Sequence, residues 1–315
     1  MISFKHFRRK IRYPFEIMGY KLAQLIIPIL PRKWVINLAK LIGKIVVALP
    51  ISEKKIGLKN LDAVFGETKT QKEKEKILAT AFATFALTMM DLFWFSKNSE
   101  QRIKKWVDIH PSFKKLFQDK ALLCVTAHFG NWEISALASV YHGVELASVA
   151  APLKNKAINH VVIKHREQKG QVIIPREGAM RTMLNRLRKN KKVGLVLDQN
   201  VPTHKGGIIV DFMGLPTPVT PAAGALSYRT GTEIFLGFCT LQPDSGHYLL
   251  YSSGTIQPPP FDKKLNTQEI TQALTQQIIS KISEEILNHP ELWLWSYKHW
   301  RRKPGENYPE NYPDY

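Results

Sequence analysis

Hydrophobic patterning divides the chain near residue 121. Before it, apolar positions recur at helical spacing, and after it short apolar runs alternate with amphipathic stretches. The first segment opens with basic Lys5 to Arg12 and continues through apolar Tyr13 to Leu30, broken by Glu16, Lys21 and Pro28. A cleaved secretory signal needs a clean apolar core and a small-residue cleavage site, so these breaks argue against one. A membrane-spanning helix needs about 20 predominantly apolar residues, so interfacial attachment suits this segment better than a single span. The second segment, Trp34 to Leu49, is apolar except for Asn37, Lys40 and Lys44. The two lysines lie four apart and share a helical face. A wet basic face beside Trp34, Ile36, Ile42 and Val46 is the pattern of a helix lying among lipid headgroups. The basic turn Pro31 to Lys33 joins the two segments, and the competing reading of the second is a core helix packed on the main domain.

A basic connector, Ser52 to Lys59, leads to helical spacing over Lys72 to Phe95, charged in its first half and apolar in its second. Strand-like runs follow at Leu122 to Ala127, Val144 to Ala150, Val172 to Ile174, Val193 to Leu197, Ile234 to Leu241 and Tyr248 to Ser252. Helical stretches lie between them at Trp132 to His142, Lys156 to Lys169, Gly178 to Asn190 and Pro221 to Thr230, with a last helix over Thr267 to His289. Such alternation predicts an α/β fold with a central mixed, mostly parallel sheet flanked by helices. The expected division is residues 1–50 as membrane-associating helices, 51–303 as the main domain and 304–315 as an extended tail. No internal repeat is visible.

The chain carries 45 Lys and Arg against 26 Asp and Glu, a formal net charge of +19, which points to a polyanionic partner. Nucleic acid, an anionic membrane and an acidic carrier protein all fit that charge. A nucleic-acid binder would show an aromatic-interleaved basic groove or a known module, and neither is present. The two cysteines, Cys124 and Cys239, both stand in strand-like apolar runs, where an inert buried thiol is expected. With no CxxC and no His-rich spacing there is no metal site to predict.

The sharpest chemical signal is Val125-Thr126-Ala127-His128-Phe129-Gly130-Asn131-Trp132-Glu133, where a buried strand stops at a histidine and a helix begins after a glycine turn. Loops at the carboxyl ends of strands form the ligand crevice in doubly wound sheets. His128 is therefore placed as a general base, with a pKa near neutral and in need of a carboxylate to fix its tautomer. Glu133, in the opening turn of the next helix, and Asp198, at the end of an apolar strand, are both candidates for that carboxylate. No Gly-x-Ser-x-Gly or nearby cysteine supplies a protein nucleophile, which favours direct attack by an acceptor hydroxyl.

The run His128 to Glu133 resembles the His-x4-acid signature of the bacterial lipid A late acyltransferases, within a wider glycerolipid acyltransferase superfamily. Several further stretches agree in order and spacing: Ala151 to Asn155, Val196-Leu197-Asp198-Gln199, Val210 to Pro218, Pro290 to Trp295 and His299 to Arg302. The resemblance spans roughly residues 10 to 303. It implies acyl transfer from an acyl-carrier-protein thioester to a hydroxyl of a lipid A precursor, on the cytoplasmic face of a bacterial inner membrane and without a cofactor. It also places an arginine close to the histidine, at Arg166, as a stabiliser of the oxyanion. The catalytic set expected is His128, Glu133, Arg166 and Asp198. Substrate contacts are expected from Asn131, Lys154, Arg176, Gln199, Arg301 and Arg302, the last two gripping phosphate. Trp293, Trp295 and Trp300 have the alternative reading of an interfacial anchor. The rival enzyme is a lysophospholipid or glycolipid O-acyltransferase using acyl-CoA or acyl carrier protein; the rival of another class is a non-catalytic membrane or nucleic-acid binder.

Overall fold

The computed structural model describes residues 4–150, 155–168, 170–303 and 308–315. Five helices come first: α1 (Phe4–Ile26), α2 (Arg32–Ala48), α3 (Ser52–Phe65), α4 (Gln71–Trp94) and α5 (Ser99–Trp106). Strands and helices then alternate as β1 (Val107–Ile109), β2 (Leu123–Thr126), α6 (Trp132–Tyr141), β3 (Leu146–Ala150), α7 (Lys156–Gln168), β4 (Val172–Pro175), α8 (Ala179–Arg188) and β5 (Lys192–Val196). The chain continues through β6 (Ile208–Phe212), β7 (Leu215–Val219), α9 (Ala222–Thr230), β8 (Ile234–Leu241), β9 (Tyr248–Ile256) and α10 (Thr267–Asn288).

Seven strands form one sheet in the order β1-β9-β8-β2-β5-β3-β4, while β6 and β7 make a separate hairpin. Neighbours in the large sheet are parallel except β8 with β9, so the sheet is mixed and mostly parallel as the alternation predicts. Both faces are covered, which is why its strands read as unbroken apolar runs. Successive residues of β8 serve opposite faces: Ile234, Leu236 and Phe238 join one core with α9 and α10, whereas Phe235 and Cys239 join a second with α2 and α6. Because β2, β3, β4, β5 and β8 run the same way, their carboxyl ends share one edge.

Several elements depart from the sequence reading. The supposed connector Ser52 to Lys59 is the first half of α3, whose Leu61 is fully buried while Lys55 and Lys59 are exposed. The helix α5, the three-residue strand β1 and the hairpin β6–β7 were not anticipated. Trp293, Trp295 and Trp300 have no exposed surface, so they are core residues and cannot anchor the protein to an interface. Among the described residues only α4 is long and apolar enough to cross a membrane, and half of its most apolar window is buried.

The helix α2 has two apolar faces. Val35, Ile36, Ala39 and Gly43 are buried, and α2 lies directly along α4, as the core-helix reading requires. Trp34, Leu38, Leu41 and Ile45, at helical spacing on another side, are 65%, 40%, 53% and 49% exposed. Gly43 sets the approach of the two helices: a Cβ there would stand 2.2 Å from the carbonyl oxygen of Ala79. Gly43→Val should therefore destabilise the protein by about 1–3 kcal/mol through overpacking. The check is urea denaturation, where an unchanged midpoint would show that α2 and α4 part at no cost.

Candidate active site

The site is built where β2 ends. Gly130 adopts a φ of +57°, and a Cβ at this position would meet the Cys239 carbonyl oxygen at 2.1 Å, so the turn is restricted to glycine. Its amide donates to the Leu292 carbonyl (2.9 Å), and the Asn131 amide donates to the Cys239 carbonyl (2.8 Å), pinning the turn between β8 and the 290s segment. Asn131 then caps α6, its Oδ1 accepting from the Ile134 amide at 3.0 Å.

His128 is held by Asp198, which follows the neighbouring strand β5. Asp198 Oδ1 lies 2.7 Å from His128 Nδ1, and Oδ2 accepts from the His128 amide (3.1 Å) and from Trp293 Nε1 (2.8 Å). The carboxylate has no exposed surface, whereas the imidazole side chain keeps 21% of its own. An ionised Asp198 can only accept, so Nδ1 carries the proton and Nε2 presents a lone pair. Burial works to raise the Asp198 pKa, but His128, His299 and Trp293 outweigh it and hold the carboxyl down to about 2. Burial likewise works to lower the His128 pKa, and the Asp198 charge and hydrogen bond, aided by the Glu133 charge, overcome it, so the imidazole sits above its ordinary value.

Between the two candidate carboxylates, the geometry joins Asp198 to the imidazole. Glu133 instead accepts a two-pronged bond from Arg166, whose Nε lies 3.2 Å from Oε2 and whose Nη2 reaches Oε1. Arg166, on α7, thus lies against Glu133 of the helix that follows the turn, with its guanidinium turned to that carboxylate. The His128 ring packs edge-on against Trp132, with centroids 4.9 Å apart. Among the described residues no serine or cysteine hydrogen-bonds to His128. Burial pushes the Cys124 thiol up to about 12 and that of Cys239 well above its ordinary range, so both stay protonated.

The expected substrate contacts separate. Gln199 is half-buried beside Asp198; Arg176 is exposed after β4, on the same sheet edge. Arg301 and Arg302 are exposed, and Arg301 Nε donates to Asn200 Oδ1 at 3.2 Å. Asn131 is turned inward: 1% exposed, its Nδ2 donates to Asp91 Oδ2 (3.0 Å) and to the Tyr248 hydroxyl (2.9 Å). Its amide is therefore hydrogen-bonded within the protein, while the residue also lines the cavity on the β8 side of the turn. Lys154 and the stretch Ala151 to Leu153 lie outside the described residues.

Three partners of the site were not anticipated. Trp293 bonds Asp198, and His299 stacks on Trp293 with centroids 4.0 Å apart. His299 is buried, which draws its pKa down to about 4, and its two nitrogens lie against the carbonyls of Asp198 and Leu294. The third is Arg32, expected in the basic turn that joins the first two segments but 4% exposed and paired with the fully buried Asp91. A lone Asp in the apolar half of α4 was the available signal. On the β8 side of the turn opens a cavity of about 970 Å³, lined by Ala39, Leu87, Gly130, Leu241 and Leu292 among others. Among the described residues no cluster of three His, Cys, Asp or Glu could hold a metal ion.

Together these features define an α/β protein with an imidazole–carboxylate pair at the carboxyl edge of its sheet. The chain belongs to the bacterial lipid A biosynthesis acyltransferase family, whose model matches residues 4–302. It is 24% identical over 259 residues to the lipid A biosynthesis palmitoleoyltransferase of Escherichia coli K12, covering 80% of each chain. It is 25% identical over 177 residues to the phosphatidylinositol mannoside acyltransferase of Mycobacterium tuberculosis H37Rv. That match covers 55% of this chain and spans about half, 52%, of the mycobacterial protein. Among solved structures it is similar to the 1-acyl-sn-glycerophosphate acyltransferase PlsC of Thermotoga maritima, at 13% identity and a TM-score of 0.36, covering 81% of this chain and 99% of that one.

The Asp198 charge is what raises His128, so Asp198→Asn should move the His128 titration to lower pH than in the parent protein. NMR titration of ring-labelled histidines reads this directly, with His128→Gln assigning the resonance. An unmoved titration would mean that Asp198 does not control the imidazole.

Proposed function

We propose that the protein transfers a fatty acyl chain from an acyl-carrier-protein thioester to a hydroxyl of a lipid A precursor, with His128 as general base. The observation that carries this reading is the His128–Asp198 pair, which leaves Nε2 as an acceptor at the sheet edge. In the step so read, Nε2 takes the proton of the acceptor hydroxyl as its oxygen attacks the thioester carbonyl carbon. The tetrahedral intermediate then expels the thiolate, which recovers the proton from the imidazolium, leaving an ester and a free thiol. Direct attack is supported by the absence of a hydrogen-bonded serine or cysteine at His128 among the described residues. Arg166 is suited to meet the oxyanion, a contribution of roughly 3–4 kcal/mol per donor, while Glu133 orients it.

The 970 Å³ cavity beside Gly130 suits a hydrocarbon chain. The net charge of +19 suits an acidic carrier and a phosphorylated acceptor. The decisive assay is mass spectrometry of products formed from carrier-bound C12 to C16 donors and a Kdo-bearing lipid A precursor. His128→Ala should remain folded while turnover falls about 100-fold or more. Near-normal turnover in the folded variant sinks the mechanism. Preference for acyl-CoA, or for a lysophospholipid or mannoside acceptor, would replace the lipid A reading with that of a general lipid acyltransferase.

The setting is a membrane surface, proposed as the cytoplasmic face of an inner membrane. Met18, Leu22, Leu25 and Ile29 are exposed as well as the apolar stripe of α2, and exposed apolar helix faces suit helices that lie in an interface. Since the opposite face of α2 is core, removing residues 1–49 would damage the fold, and surface substitutions make the cleaner test. Trp34→Glu, Leu41→Glu and Ile45→Glu combined should abolish sedimentation with anionic vesicles at an unchanged melting temperature. Undiminished sedimentation would place the attachment elsewhere.

A further inference from the structure

The catalytic turn is tied to α2 by a polar chain buried beneath it. Arg32, the first residue of α2, forms a forked ion pair with Asp91 of α4, one arm of which is Nη2 to Oδ2 at 3.3 Å. Asp91 Oδ2 also accepts from Asn131 Nδ2 (3.0 Å) and from the Tyr248 hydroxyl, which itself accepts from Asn131 Nδ2 at 2.9 Å. The guanidinium lies over the rings of Trp94 and Tyr248, at 5.0 and 5.2 Å. Asp91 is fully buried, with the other members almost so, and Asn131 and Tyr248 also form one wall of the cavity.

We propose that Arg32 and Asp91 are positioning residues, holding the turn from His128 to Glu133 in its working geometry through the side chain of Asn131. The reason is a division of labour within the turn. Its backbone is bonded to Cys239, to Leu292 and to the Thr88 hydroxyl of α4, and Trp132 packs on Phe85, but the amide of Asn131 is the side chain of the turn that hydrogen-bonds to the Asp91 carboxylate of α4. That single amide spans two tasks, capping α6 with Oδ1 and reaching Asp91 with Nδ2. A shift of Asn131 therefore moves Glu133, two residues on, and His128, three residues back, away from Asp198. Misplacing a reacting group by about 1 Å can cost a factor of about 100 in rate. This rests on the reading of His128 as base.

The test uses the full-length enzyme in the acyl-transfer assay. Replacing a buried ion pair with apolar residues of similar volume commonly preserves folding, so Arg32→Met with Asp91→Leu removes the anchor while filling its space. A second variant, Asn131→Ser, retains a good helix cap and deletes the links to Asp91 and to the Tyr248 hydroxyl. Both should lower kcat about tenfold or more with the donor KM within about threefold, the pattern of lost transition-state interactions. The acidic limb of the kcat/KM profile should also move to lower pH, because His128 faces Asp198 and Glu133, with Arg166 and His299 behind them, and recedes from the first two. A purely structural role would lower the folded fraction and leave that limb in place. Parental kcat and an unshifted limb in the folded variants overturn the proposal, as does a change confined to KM. If the double variant fails to fold, Asn131→Ser decides on the same readouts. His128→Gln runs alongside: substantial activity there defeats the base assignment itself, whereas an inactive His128→Gln beside fully active network variants defeats only the positioning role.

Discussion

Taking a carboxylate out of water is tolerated only where charges and donors replace the water. Asp198 receives them from three parts of the chain: the backbone and imidazole of His128, the indole of Trp293 and the nearby ring of His299. This requirement organises the site. It needs β2 and β5 as neighbours so that their ends meet, and it needs the 290s segment folded across them. The segment complies by pairing with the turn itself, Phe129 opposite Trp293, and by seating Trp293 between His299 and Trp295. The burial of Trp293 thus follows from how one carboxylate is satisfied, and Trp295 packs edge-on against it.

A second constraint lies beneath the turn. A buried ion pair such as Arg32–Asp91 commonly adds little net stability, because desolvation of two charges cancels much of their attraction. It is directional, however, and one residue of α2 can meet Asp91 in only one seating of the helix. Gly43 enforces the same seating further along by steric limit. With the inner face fixed in this way, Trp34, Leu38, Leu41 and Ile45 necessarily point outward, so the free apolar stripe is a consequence of the core packing and not a separate module.

The large sheet was legible because strands buried on both faces produce uninterrupted apolar runs, as in Ile234–Leu241. The hairpin was not, since Pro216 and Pro218 make β7 read as a loop, and prolines are accommodated only where strands have a free edge. Three-residue β1 offers no period to detect, and in α3 the lysines at 54, 55 and 59 disguise the apolar spacing of Leu58 and Leu61. His128 and its place at a strand end were visible from the local sequence. The choice between Glu133 and Asp198 was not, because it depends on which strand lies beside β2, and strand order is a property of the whole fold. The second partner of Asn131 was hidden for a related reason: its place before a helix announces a cap, but Asp91 lies 40 residues away.

Strand order also sorts the surroundings of the base. On one side of β2 lies β8, and there a cavity opens between α2, α4 and the sheet, its lining mixing Ala39, Leu87 and Leu241 with Lys40, Glu285 and Glu291. On the other lie β5, β3 and β4, and beside Asp198 and Glu133 three arginines follow or flank them: Arg301 tethered at Asn200, Arg166 on Glu133, and Arg176 in water. On the acyl-transfer reading the cavity, whose lining includes Gly130 and Asn131 of the turn but not His128 itself, would receive a hydrocarbon chain, and the arginines a charged headgroup. The carbonyl to be attacked and the attacking hydroxyl would meet over Nε2, the one ring nitrogen that Asp198 leaves free. Chemical asymmetry between the two flanks of a single strand would supply much of the orientation that acyl transfer between two lipidic substrates demands.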